Sequence, residues 1–107
     1  MGVSTMNDSL LKLFKQRMRI GYDTDDENLK AILESSVFAV KNLVGSDDLT
    51  DPAIRELVIE RSRYVYNDSL EFFYDNFIND LGTASIANLK KAVNENETNV
   101  RVEETTE

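Results

Sequence analysis

The chain contains no cysteine and no histidine. These absences remove thiol nucleophiles, imidazole bases and the usual zinc ligands, and leave any catalysis to carboxylates, lysines and hydroxyls. No glycine-rich phosphate loop, Ser-His-Asp set or metal-ligand cluster stands out, and no internal repeat is visible. The expectation is a protein that is not an enzyme and carries no cofactor and no metal. No apolar run approaches the length of a membrane span, and Met1 to Asn7 lacks the basic and apolar regions of a signal peptide. A soluble cytoplasmic protein is expected, with no membrane partner.

What is present is acid and helical periodicity. With 107 residues, 41 % of them hydrophobic, the chain is long enough for one domain with a modest core that folds without disulfides. The net charge is −8. Residues 1–24 carry Lys12, Lys15, Arg17 and Arg19 against Asp8 and Asp23, so this segment is positive while each later segment is negative. A surface this acidic repels a phosphate backbone and argues against ordinary duplex binding.

The stretch from Asp51 to Asp80 organises the rest. Thr50 or Asp51 is placed to cap a helix, with Pro52 in the first turn, where its missing amide is harmless. One apolar stripe runs through Ile54, Leu57, Val58, Val65 and Phe72, and a second through Tyr66, Leu70, Phe73, Phe77 and Leu81, more than a quarter-turn away. Arg55, Glu56, Glu60, Arg61 and Arg63 fall mostly off the first stripe. The shift comes at Asn67-Asp68-Ser69, three poor helix formers, which predicts either one long kinked helix over about 51–80 or two helices meeting there.

Before it, a helix from about Asn7 or Asp8 to Met18 places Leu10, Leu13, Phe14 and Arg17 on one side, and Lys12, Lys15 and Arg19 on the other. That basic face is either solvated or a docking surface for an acidic partner. Thr24 and Glu27 have the spacing of a capping box. Asp23, Asp25, Glu27 and Glu34 also fall at the first, third, fifth and twelfth places of a calcium loop. The sixth place is Asn28 instead of glycine, however, and Leu29 to Leu33 follow a helical pattern, so helix capping is preferred. The second helix carries Leu29, Ile32, Leu33, Ser36, Val40, Leu43 and Val44 on one wide stripe and stops at Gly45. Phe38 lies on its polar side, either a lone exposed residue or part of an interface.

Phe72, Phe73, Tyr74 and Phe77 crowd together with Ile78 and point to several sides. Either some of them contact another chain, where aromatics often carry binding energy, or a fourth helix wraps them all. Leu81-Gly82-Thr83 reads as the end of one helix and the cap of the next, Ala84 to Val93, whose stripe is Ile86, Leu89 and Val93. Residues 95–107 read as an acidic tail, disordered unless bound, in which Val100 and Val102 alternate with polar residues and are suited to edge-strand addition. The fold class is all-α: a small four-helix domain over residues 1–94 followed by that tail.

The order of these elements carries a resemblance. Leu10-Leu11-Lys12-Leu13-Phe14-Lys15-Gln16-Arg17-Met18-Arg19-Ile20 leads into Asp23-Thr24-Asp25-Asp26-Glu27. A helix through Leu29 to Val44 follows, then Gly45, a polar loop, Asp51-Pro52 and a long helix reaching Tyr64-Val65-Tyr66-Asn67-Asp68. This resembles, over Met6 to Val93, the small head-tail connector proteins of tailed bacteriophages, also called head-completion or adaptor proteins. The resemblance implies a structural virion protein, made in the host cytoplasm, that forms a ring, typically twelve-fold, beneath the portal protein. Such a ring extends the DNA channel without specific DNA binding and docks the next head-completion or tail protein. It implies subunit or portal contacts among Lys12, Lys15, Arg19, Phe38, Phe72, Phe73, Tyr74, Phe77, Val100 and Val102. The Phe-rich segment and the acidic tail have no place in the family pattern. Two other classes remain in view: a small helical regulator that binds another protein through the Phe38 or Phe73 surface, and a helix-turn-helix DNA binder, whose recognition helix is hard to locate.

Overall fold

A computed structural model of the chain describes the backbone of residues 2–105 and the side chains of residues 8–94. Four helices follow one another: α1 (Gly2–Met18), α2 (Asp26–Val44), α3 (Pro52–Tyr66) and α4 (Leu70–Thr105). No strand occurs among the described residues. Helices α2, α3 and α4 pack on one another, and α1 lies against α2 and α3 without approaching α4. The radius of gyration is 17.0 Å, against about 13 Å for a compact chain of this length. The excess comes from α4, whose 36 residues outrun the 19 of α2 and the 15 of α3.

Left-handed residues end the first three helices. At the end of α1 the amide of Ile20 donates to the Lys15 carbonyl (2.9 Å) and that of Arg19 to Gln16 (3.2 Å), with Arg19 at φ 60°. At the end of α3 Ser69 donates to Tyr64 (2.8 Å) and Asp68 to Val65 (3.1 Å), with Asp68 at φ 54°. Both are paired-bond terminations in which the residue after the cap turns left-handed. The stretch 51–80 is thus two helices, and they part at Asn67-Asp68-Ser69. Helix α2 stops at Gly45, φ 94°, whose amide donates to Lys41 (2.7 Å). The left-handed backbone calls for glycine here, and a Cβ at this position would stand 2.6 Å from Asn88 Nδ2, so that side chain would have to move. At the start of α3 the Asp51 carboxylate accepts from the Ala53 amide (2.9 Å), with Pro52 next in the chain.

Several expected boundaries are corrected: α1 begins at Gly2 instead of Asn7 or Asp8, and the last helix continues past Val93 to Thr105. The Thr24–Glu27 capping box does not form: Asp25 is the residue before α2, its side chain makes no capping bond, and it accepts only from Asn28 Nδ2 at 3.4 Å. Its ψ of 9° is far from the extended backbone that aims a cap at the free amides. Nor do Leu81-Gly82-Thr83 divide the chain, since α4 runs through them. Leu81 and Ala84 are both buried, so the core face is continuous there, while Gly82 faces open space. A glycine in an exposed helical position costs about 1 kcal/mol relative to alanine, too little to end a helix anchored on either side.

The core is one cluster in which Phe14, Leu29, Val40, Val58, Ile59 and Phe73 are almost fully buried. Four members of the stripes on α2 and on residues 51–80 fall outside it: Ile32 and Val65 are half-buried, Leu43 is 45 % exposed at the end of α2, and Phe72 is 55 % exposed because the break at 67–69 rephases α4 around Phe73. Glu60 and Arg61, expected off the apolar stripe, are buried, because α3 is covered by α1 on one flank and by α2 and α4 on the others.

Candidate interaction surfaces

The expected contact residues separate into three places. On α4, Phe73 is sealed in the core, its ring 5.8 Å from Tyr64, 5.3 Å from Tyr74 and 5.0 Å from Phe77. Its assignment as a subunit contact is corrected: no part of the ring reaches the surface. Tyr74 and Phe77 are half-buried around it, and the Tyr74 hydroxyl accepts from Arg61 Nε at 3.3 Å. Phe72 alone of this group faces solvent. On α2, Phe38 is 68 % exposed, on the side opposite the buried row Leu29, Leu33, Ser36 and Val40. Val100 and Val102 lie outside the residues whose side chains are described.

Sequence reasoning placed Ile86, Leu89 and Val93 on the packing stripe of a separate helix, and the structure leaves them uncovered. Exposures are 64 % for Ile78, 57 % for Ile86, 62 % for Leu89 and 44 % for Val93. At about 100° per residue the four fall within a sector of roughly 80°, turned some 135° from the sector that holds Phe73, Phe77, Leu81 and Ala84. Helix α4 therefore has two apolar faces, one spent on α2 and α3 and one unpaired. Full burial of such a side chain is worth about 1.5–3 kcal/mol. Covering these partial exposures would release about 1 kcal/mol each, roughly 4–5 kcal/mol in all.

The basic face of α1 is less uniform than its periodicity implied. Lys15 is half-buried, its Nζ 2.7 Å from Asp23 and 2.7 Å from Asp26. The bonds to Asp23 and Asp26 raise the Lys15 ammonium above its ordinary range, and the bond from Lys15 holds the Asp23 carboxyl below its own. Lys15 therefore fastens α1 to the start of α2, which corrects its assignment as an outward contact. Lys12 and Arg19 are exposed. They flank a groove of about 630 Å³ between α1 and the first turns of α2, which Leu11, Ile20 and Lys30 line together with the carboxylates of Asp8 and Asp26. Arg17 plays the corresponding part toward α3, donating to Glu56 (2.7 and 3.1 Å) and Glu60 (2.7 Å). Its hydrogen bond lowers the Glu56 carboxyl and raises the Arg17 guanidinium. Arg63 reaches Glu60 from the other side at 2.8 Å, so that buried carboxylate sits between two guanidiniums.

A polar seam inside the core escaped the sequence reading altogether. Arg61 Nη1 donates to Ser36 Oγ (3.1 Å), Ser36 and Ser62 hydroxyls lie 2.8 Å apart, and Ser62 donates to the Val58 carbonyl (2.8 Å). One proton per hydroxyl satisfies the whole chain if Ser36 donates to Ser62. The available signal was Ser36 on the apolar stripe of α2, a small hydroxyl at a core position that needs a partner on another element.

Among the described residues no group of three or more acidic residues is placed to hold a metal ion. No described helix is long and apolar enough to cross a membrane. Comparison with protein families, with curated proteins and with solved structures finds no match for the chain.

Proposed function

We propose that this chain is a structural subunit of the head-tail connector of a tailed bacteriophage, assembling as a ring, twelve-fold in the virion, beneath the portal protein. In this reading it catalyses nothing; it lengthens the DNA channel and presents a platform to the next head-completion or tail protein. The observation that carries the reading is the unpaired apolar face of α4, Ile78, Ile86, Leu89 and Val93, on a domain whose own core is already filled. Such a face is what a self-assembling subunit keeps for its neighbours. Exposed Phe38 and Phe72 supply further surface of the same kind. The acidic balance suits a channel wall along which DNA slides without adhering.

The magnitudes also bear on how assembly proceeds. Roughly 4–5 kcal/mol of apolar gain sits at the lower edge of the about 4–15 kcal/mol that association consumes in lost freedom. Copies of a chain with charge −8 also repel one another. The free protein is then a monomer or loose oligomer at low salt, and the ring forms when moderate salt screens the repulsion or when the portal supplies a template. The test is negative-stain imaging of the purified protein alone and mixed with a portal ring, with sedimentation at low and moderate salt. Rings stacked on the portal support the proposal. A small discrete oligomer that ignores the portal favours a helical regulator of another protein, and a tight ring at low salt that moderate salt dissociates refutes the charge argument.

A further inference from the structure

We infer that the groove between α1 and the start of α2 receives the acidic segment 95–104 of a second copy of this chain; the inference rests on the self-assembly proposed above and names the surfaces that meet. Three observations lead there. The groove is lined by Lys12, Lys15, Arg19 and Lys30 against Asp8 and Asp26, a positive balance on a chain that is otherwise strongly negative, and Lys12, Arg19 and Lys30 make no ion pair among the described residues. Leu11 and Ile20 add apolar lining. The chain itself contains a segment of opposite charge, with Glu95, Glu97, Glu103 and Glu104 against a single Arg101.

The topology makes the contact intermolecular. Helix α4 runs antiparallel to α3 and passes the α2–α3 corner where Asn88 meets Gly45, close to Ser46 and Asp51. That corner is the C-terminal end of α2, whereas the groove lies at its N-terminal end, beside Asp26 and Lys30. The 19 residues of α2 separate the two ends by about 27 Å at 1.5 Å per residue. The segment thus leaves its own copy at the end remote from its own groove. A surface that gives a tail and a different surface that takes one form a heterologous, head-to-tail contact, which closes into a ring when the rotation between copies is right. The same contact adds local attraction to assembly. At about 0.15 M ionic strength the screening length is near 8 Å, so the long-range repulsion between copies is damped while ion pairs in contact persist. Assembly should then rise with salt to a moderate concentration and fall again beyond it.

The experiment is zero-length carbodiimide cross-linking of the full chain in an equal mixture of unlabelled and ¹⁵N-labelled copies. Cross-links of mixed isotope joining Lys12 or Lys30 to Glu95, Glu97, Glu103 or Glu104 are expected. Their yield should fall at least threefold with Arg19→Glu, which leaves both reacting lysines in place, with the helical circular-dichroism signal unchanged as the check on folding. Links of a single isotope only would return the segment to its own copy and overturn the inference. Intermolecular links confined to other lysines, with rings still forming, would also overturn it and leave the proposed function standing. Mixed-isotope groove links without rings on or off the portal would uphold this contact and count against the ring.

Discussion

Replacing Phe73 with alanine distinguishes a core residue from a contact residue. Phe73 is 0 % exposed, and its ring meets Tyr64, Tyr74 and Phe77 at centroid distances between 5.0 and 5.8 Å. Removing a buried phenylalanine forfeits its transfer free energy and leaves a cavity, for a typical loss of about 3–5 kcal/mol. Domains of this size are stable by only about 5–15 kcal/mol, so Phe73→Ala takes roughly a fifth of the total at the least. With a urea dependence of about 1–3 kcal/mol per molar, the unfolding midpoint followed by circular dichroism should drop by roughly 2 M. Phe38→Ala is the matched control. Its ring is 68 % exposed, so the stability should stay within about 0.5 kcal/mol of the parent. If Phe73→Ala were to leave the midpoint unchanged and act only through the concentration dependence of assembly, Phe73 would be a surface contact after all and α4 would pack on α3 through a different face.

Three further perturbations have defined outcomes. Gly45→Ala forces a side chain into φ 94° and against Asn88 at 2.6 Å, and should destabilise by about 1–2 kcal/mol; Asn88→Ala in the same chain should restore part of that, and strict additivity in urea titrations would contradict the close approach. Ile86→Glu with Leu89→Glu should leave thermal unfolding nearly untouched while abolishing assembly in sedimentation, because both side chains are more than half exposed; loss of helix would place them in the core. In acid, the attachments of α1 should fail before the core does. Asp23 and Glu56 have folded pKa values below their ordinary 3.8 and 4.5, so the stability they contribute is present above those values and is lost as pH falls through the lowered ones. Lys15 works in the opposite sense: its raised value keeps its contribution intact below 10.5, and that contribution is lost only at higher pH. The protection of amides over residues 13–18, relative to their intrinsic exchange rate at each pH, should fall in the acid window, and Glu56→Gln should remove part of that pH dependence.

Much of the architecture was legible because it is local. Asp51-Pro52, Gly45 and Asn67-Asp68-Ser69 mark helix ends through backbone chemistry that depends on few neighbours, and the structure turns at each of them. The run Leu81-Gly82-Thr83 has similar chemistry but sits on a helix whose core face is unbroken, so tertiary packing prevailed over the local signal. The fate of charged residues was illegible for a different reason. Lys15 meets carboxylates 8 and 11 positions on, and Arg17 meets Glu56 and Glu60 across 39 and 43. Periodicity along one helix put Lys15 on a basic face and Arg17 among apolar neighbours, and nothing in it records what another helix brings opposite. Ile86, Leu89 and Val93 show the converse. Their spacing is that of a packing stripe, and it gives no hint that the fold leaves them uncovered.

Helix α4 turns in two bearings, the ring stack around Phe73 and the glycine notch that seats Asn88. These are fifteen residues apart in sequence, about 22 Å along the axis. A rigid shift of about an ångström at one of them therefore tilts the axis by only some 3° over that span.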